Sequence, residues 1–165
     1  MSLNQSLLAE LKQEGASTRK MLQAVPFNNP SWKPHDKSMS LEHLASHIAE
    51  LMGWISMTIH TNELDFAKFP YKPLQHNSTE DLLKLFDEKF AAAITDVGNA
   101  TDENLRGPWT LRNGEIIYFT MPRIAVIRSM ALNHSIHHRG QLSVYLRLND
   151  IPLPGMYGPT ADEKM

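Results

Sequence analysis

The sequence contains no cysteine. That absence excludes disulfides, thiolate nucleophiles and cysteine-ligated zinc, so any metal site has to be assembled from imidazole nitrogens and carboxylate oxygens. Long apolar runs are missing as well. No stretch of the 165 residues approaches the roughly 20 that span a bilayer, and the opening MSLNQSLLAE lacks a basic segment followed by an apolar one. The expectation is a cytoplasmic protein with no membrane partner. Nor does charge of one sign accumulate: 16 Lys and Arg stand against 18 Asp and Glu, scattered along the chain, for a formal net charge of −2. Without a basic footprint to neutralise phosphates, nucleic acid is not an expected partner.

What is present is a chain that is 42% hydrophobic and long enough to bury a core without staples, which predicts one domain over residues 1–165. Apolar residues recur at helical steps in four segments. The first runs from about Asn4 to Ala24 through Leu7, Leu11, Met21 and Leu22, with Pro26 as its stop and Gly15 as an unexplained weak point. Ser40 caps a second that reaches about Thr61, with Leu41, Leu44, Ile48, Leu51, Ile55 and Ile59 on one stripe. A third starts at Ser78 or Thr79 and ends near Gly98. The fourth opens at Pro122 and ends near Leu148, before Asp150, Pro152 and Pro154. Between the last two lies WTLRNGEIIYFT, in which Asn113 and Gly114 separate two short runs rich in aromatic and β-branched residues, the pattern of a hairpin. The predicted class is all-α, a four-helix bundle with a small β-hairpin inserted before the last long helix.

In that last helix, NHSIHHRGQL places three histidines within five positions. At about 100° per residue, His134 and His138 share the apolar face with Ile127, Ala131 and Tyr145, while Ser135, Arg139 and Ser143 fall opposite and His137 lies on a flank. Residues four apart are one turn apart, so two imidazoles can converge on a single ion. In LEHLASHIAEL of the second helix, His47 borders the Leu44, Ile48 and Leu51 stripe, with His43 farther round. A bundle burying all three gives an open site of three neutral nitrogens; three histidines packed as ordinary core residues are the competing reading. Trp32, Trp54 and Trp109 are read as packing anchors, and His35, His60 and His76 as solvated loop residues.

NHSIHHRGQLSVYLRLNDIPLPGMYGPTADE resembles the C-terminal signature of the DinB/YfiT-like family, regarded as metal-dependent enzymes, and SWKPHDKSMSLEHLASHIAEL resembles its second-helix region. The resemblance implies a four-helix bundle that binds a divalent ion through three histidines, which carry over to His47, His134 and His138. An all-imidazole shell suits Zn or Ni rather than Mg or Ca. The family includes thiol S-transferases and a thiol-dependent isomerase, so the resemblance implies activation of a thiol or water toward an unidentified small molecule, with a low-molecular-weight thiol as one candidate partner. Glu42, Glu50 and His137 are candidate proton-transfer or supporting groups, and Arg139 a structural or interface residue. A metal-containing binding or sensing module without turnover is the alternative. Members of the family often pair, and Leu132, Ile136 and Leu146 on the outer side of the last helix are the expected homodimer patch.

Overall fold

The computed structural model describes residues 2–163. Its elements, in order, are α1 (Leu3–Gln23), α2 (Leu41–Leu51), α3 (Gly53–His60), β1 (Glu63–Asp65), α4 (Thr79–Asn99), α5 (Asp102–Arg106), β2 (Pro108–Asn113), β3 (Ile116–Pro122), α6 (Arg123–Val126), a π-helical segment (Ile127–Asn133) and α7 (His134–Leu148). The helix starts follow capping chemistry. Ser40 Oγ accepts from the His43 N–H, and Ser78 Oγ from the Asp81 N–H, each satisfying a donor that has no partner within its helix.

Helix α1 packs against α4 and α7, and α2 packs against the same two, so the four enclose one core. Leu7, Leu11 and Leu22 of α1, Leu44 and Ile48 of α2, Phe86 of α4 and Leu142 of α7 are all fully buried in it. Gly15 is explained by this packing. A Cβ there would lie 2.1 Å from the Phe90 ring of α4, so only glycine permits the approach of the two helices.

The single second helix expected to run to Thr61 is divided at Met52 into α2 and α3. Met52 keeps helical dihedrals, and the Ile55 N–H reaches its carbonyl in a tight i→i+3 bond, so the two pieces stay in phase.

The all-α expectation is corrected by a three-stranded sheet of order β1-β2-β3. Strands β2 and β3 form the antiparallel hairpin predicted around Asn113 and Gly114, with Gly114 at φ +59° and a bulge between Leu111 and Arg112. The unpredicted strand is β1, parallel to β2 with Leu64 opposite Leu111. The buried Asp65 at its end fastens the hairpin by accepting from the Gly114 N–H (2.9 Å) and the Ala67 N–H (3.0 Å), and these backbone donors hold its carboxyl below the usual range. Trp109, Leu111 and Val126 make a second small apolar cluster that seats the sheet on the helices. The chain is thus mostly helical with a small sheet, and no helix among the described residues is long and apolar enough to cross a membrane.

Candidate metal centre

His47 comes from α2, His134 and His138 from the first turns of α7. Their metal-binding atoms lie within 4.8 Å of one another, and among the described residues no other cluster of His, Asp and Glu does so. The ring centroids of His47 stand 5.1 Å from His134 and 4.9 Å from His138. His137 is exposed with its ring 5.0 Å from that of His138, outside the cluster. The π-helical segment ends at Asn133, immediately before the first of the two α7 histidines. The extra residue in its turn resets the rotation of everything downstream, so Ala131 stays in the core while His134 and His138 face α2.

Two hydrogen bonds decide the chemistry of the pair. His138 Nδ1 lies 2.7 Å from Gln141 Oε1, an atom that can only accept, so Nδ1 carries the proton and Nε2 the lone pair. His134 turns its own Nε2 toward His138. The two Nε2 atoms are 2.8 Å apart. With the His138 lone pair on one side, atoms at that distance are held by a proton or a metal ion between them. A tetrahedral ion at about 2.0–2.1 Å from each nitrogen separates its ligands by roughly 3.3 Å, so small ring rotations fit all three imidazoles to one ion. The donor set therefore fits a divalent transition metal.

The surroundings hold the imidazoles neutral, the form that ligates. Burial, reinforced by His138, His134 and His43, pushes His47 down to about 4. Burial is also the leading cause that lowers His134 and His138, each further lowered by His137, with the Met130 and Gln141 bonds opposing it.

The carboxylates near the cluster hold a loop. Glu42 accepts from Ser46 Oγ and from the His76 N–H, at 2.8 and 2.9 Å. Glu50 accepts from the Tyr71 hydroxyl at 2.9 Å and the Leu74 N–H at 3.0 Å, and burial beside that carboxylate pushes the Tyr71 phenol up to about 12. Of the loop histidines, His60 is exposed and meets Asp96 Oδ1 at 2.9 Å, whereas His76 is only half-buried rather than fully solvated.

Arg139 points away from the histidines, as expected, but into a buried network. Its guanidinium donates to the Glu14 carbonyl, Thr18 Oγ1 and Glu14 Oε2, the last at 2.6 Å, and to the Tyr157 hydroxyl, which itself bonds Glu14. Helix α7 is thereby clamped on its far side to α1 and to the C-terminal segment, which fixes the rotation that aims His134 and His138. The predicted outer face is corrected accordingly: Leu132 and Leu146 are fully buried and Ile136 is half-buried, because α7 packs on α1 as well as on α2. A feature the sequence did not reveal is a cavity beside His47 whose walls include Trp54, Phe66 and Tyr71.

The DinB family model matches residues 1–164. YjoA of Bacillus subtilis (strain 168) is 26% identical over 133 residues, 79% of this chain and 80% of that protein. The fold is similar to the crystal structure of the DinB-like YjoA of B. subtilis, with a TM-score of 0.69 at 18% identity over 97% of this chain and 99% of that one. It is also similar to a DinB-like protein from Bacillus cereus ATCC 10987, with a TM-score of 0.64 at 22% identity over 88% and 92%. With its sequence matched by the family model over nearly its whole length, and its fold shared with DinB-like proteins, the chain belongs to the DinB family.

Proposed function

We propose that His47, His134 and His138 hold one divalent transition metal ion, zinc or nickel, and that the protein is a metal-dependent enzyme. In this reading it activates a thiol or water for transfer to, or hydrolysis of, a small molecule. The observation that carries the reading is the pair of Nε2 atoms 2.8 Å apart, with the Gln141 bond taking up the other side of the His138 ring. A bound ion supplies Lewis acidity, which lowers the pKa of a coordinated water or thiol toward neutrality. The chain's own groups set the His138 tautomer and keep the three rings neutral, and three protein ligands would leave a fourth position for water or substrate. The reading extends to a single cytoplasmic four-helix-bundle domain over 1–165 that pairs as a homodimer, with a low-molecular-weight thiol as a candidate cosubstrate.

A second reading is a metal-containing binding or sensing module without turnover. The engagement of both Glu50 oxygens by the loop favours it, since that carboxylate is already committed as an acceptor. Metal analysis of protein purified without a His tag tests the site: we expect one ion per chain, and occupancy at least about tenfold lower in His134→Ala and His138→Ala, because water replaces a lost nitrogen poorly. Unchanged stoichiometry in both variants removes the site. Turnover of a panel of thiol acceptors and hydrolysable esters by the loaded protein then separates enzyme from module.

A further inference from the structure

The cavity beside His47 has a volume of about 190 Å³ and is lined by His47, Glu50, Leu51, Trp54, Phe66 and Tyr71. Positions 47, 50, 51 and 54 are steps of three and four along one helical face, and the in-phase joint at Met52 carries that face from α2 into α3. The opposite walls come from other elements. The Phe66 N–H is fixed to the Arg112 carbonyl at 3.0 Å, just beyond β1, and Tyr71 is tied across the opening to Glu50. Each wall is thus set independently of any ligand, as a pre-formed small-molecule site requires.

Size and chemistry narrow the occupant. A cavity of about 150 Å³ accepts benzene, so 190 Å³ has room for one ring or a branched aliphatic group of similar bulk. Three aromatic rings and a leucine offer dispersion and edge contacts to such a group. The polar features are His47, shared with the histidine triad, and the Glu50 carboxylate, both of whose oxygens already accept hydrogen bonds. A second negative charge placed there meets a like charge whose two donors are already committed to it.

We propose that this cavity receives the apolar, ring-sized portion of the substrate, carrying no negative charge where it meets Glu50, with the substrate's donor atom directed at the His47 side. The assignment rests on the metal reading for the donor atom, and on the cavity alone for the ring. Phe66 and Trp54 then determine which substrates fit, and Glu50 excludes anionic ones.

The test is a titration of the Co(II)-loaded protein with phenylmethanethiol, ethanethiol and 4-(mercaptomethyl)benzoate, followed by the thiolate-to-cobalt absorption. Burying a phenyl ring is worth about one to two powers of ten in affinity, so phenylmethanethiol should bind at least about tenfold tighter than ethanethiol. The carboxylated thiol should bind at least about tenfold more weakly than its neutral parent. Phe66→Ala should erase the first preference and Glu50→Gln the second, with helical circular dichroism retained in both. Equal affinity for the phenyl and ethyl thiols, or preferences unchanged in both variants, overturns the cavity assignment while leaving the metal reading intact. Should Co(II) not bind, the metal reading fails, and benzyl alcohol on the metal-free protein still decides the cavity. Nuclear Overhauser contacts to the Trp54 and Phe66 rings, lost in Phe66→Ala, support it, and their absence from the wild type refutes it.

Discussion

At the residue scale the metal site depends on which nitrogen of His138 holds its proton. Gln141 is exposed on α7 and makes no core contact that would explain it, yet its Oε1 fixes the His138 tautomer. Replacing it with Ala leaves all three ligands in place and removes only their orientation, so metal affinity should fall by about 10–100-fold without a matching loss of thermal stability in the metal-free protein. Equilibrium titration with Zn(II) against a competing chelator measures this, and an affinity equal to wild type would remove Gln141 from the site. His137→Ala should be milder than either ligand substitution. Acid adds a second expectation. The folded-state pKa values of the three imidazoles lie below the unfolded value of about 6.5, with His47 at about 4. The unfolded chain therefore binds more protons, and stability is lost as pH falls from about 6.5 toward about 4, levelling off below. Metal adds stability only to the neutral triad, so the Tm difference between loaded and metal-free protein should close as pH falls through the lowered folded-state values, His47 at about 4 among them. A difference that stays constant well below the value of about 4 held by His47 is incompatible with imidazole ligands.

At the element scale the α1–α4 contact and the α7 rotation carry the structure. Gly15→Ala gives a better helix former, worth about 1 kcal/mol, but drives a Cβ into the Phe90 ring, which stacks on Phe86. Overpacking of this kind costs about 1–3 kcal/mol, so denaturant unfolding should show a net loss. In a Phe90→Ala background the sign should reverse. A stabilised Gly15→Ala in the wild-type background contradicts the close approach. Much at this scale was legible in the sequence: Ser40, Ser78 and Pro122 mark helix starts because their chemistry is local. Three things were not. The break at Met52 leaves no mark because Met52 stays helical, the π segment at 127–133 inserts one residue without breaking the apolar pattern, and β1 is too short to show any pattern. His47, His134 and His138 could be picked out because four-residue spacing and an apolar face are visible in a sequence. Trp54, Phe66 and Tyr71 converge only through tertiary packing, and their partnership has no sequence signature.

At the scale of the whole molecule, the angular estimate that put Leu132 and Leu146 outside failed because a helix clamped between two neighbours is buried over more than one stripe. Exposed apolar residues lie on α7 at Val144 and Leu148, 55% and 58% exposed, and side by side on β3, where Ile116, Ile117 and Tyr118 are 63%, 60% and 54% exposed. This strand forms an edge of the sheet and carries no charged residue from Ile116 to Pro122, so only the bulge at Tyr118 and the proline at its end interrupt its open hydrogen-bonding groups. The homodimer of the proposed function should therefore form along β3. Light scattering is expected to give twice the chain mass at high micromolar concentration, and Ile117→Lys should return it to monomer. A monomeric wild type would count against pairing.

The histidine triad is the claim on which the rest depends, and anomalous scattering tests it most directly. Crystals of tag-free protein measured on both sides of the zinc and nickel absorption edges should show one strong peak per chain. That peak should lie about 2.0–2.2 Å from one nitrogen each of His47, His134 and His138, with at least one further direction open. A peak coordinated by His137 in place of His138, or crystals grown with added zinc that show no peak between α2 and α7, would contradict the account.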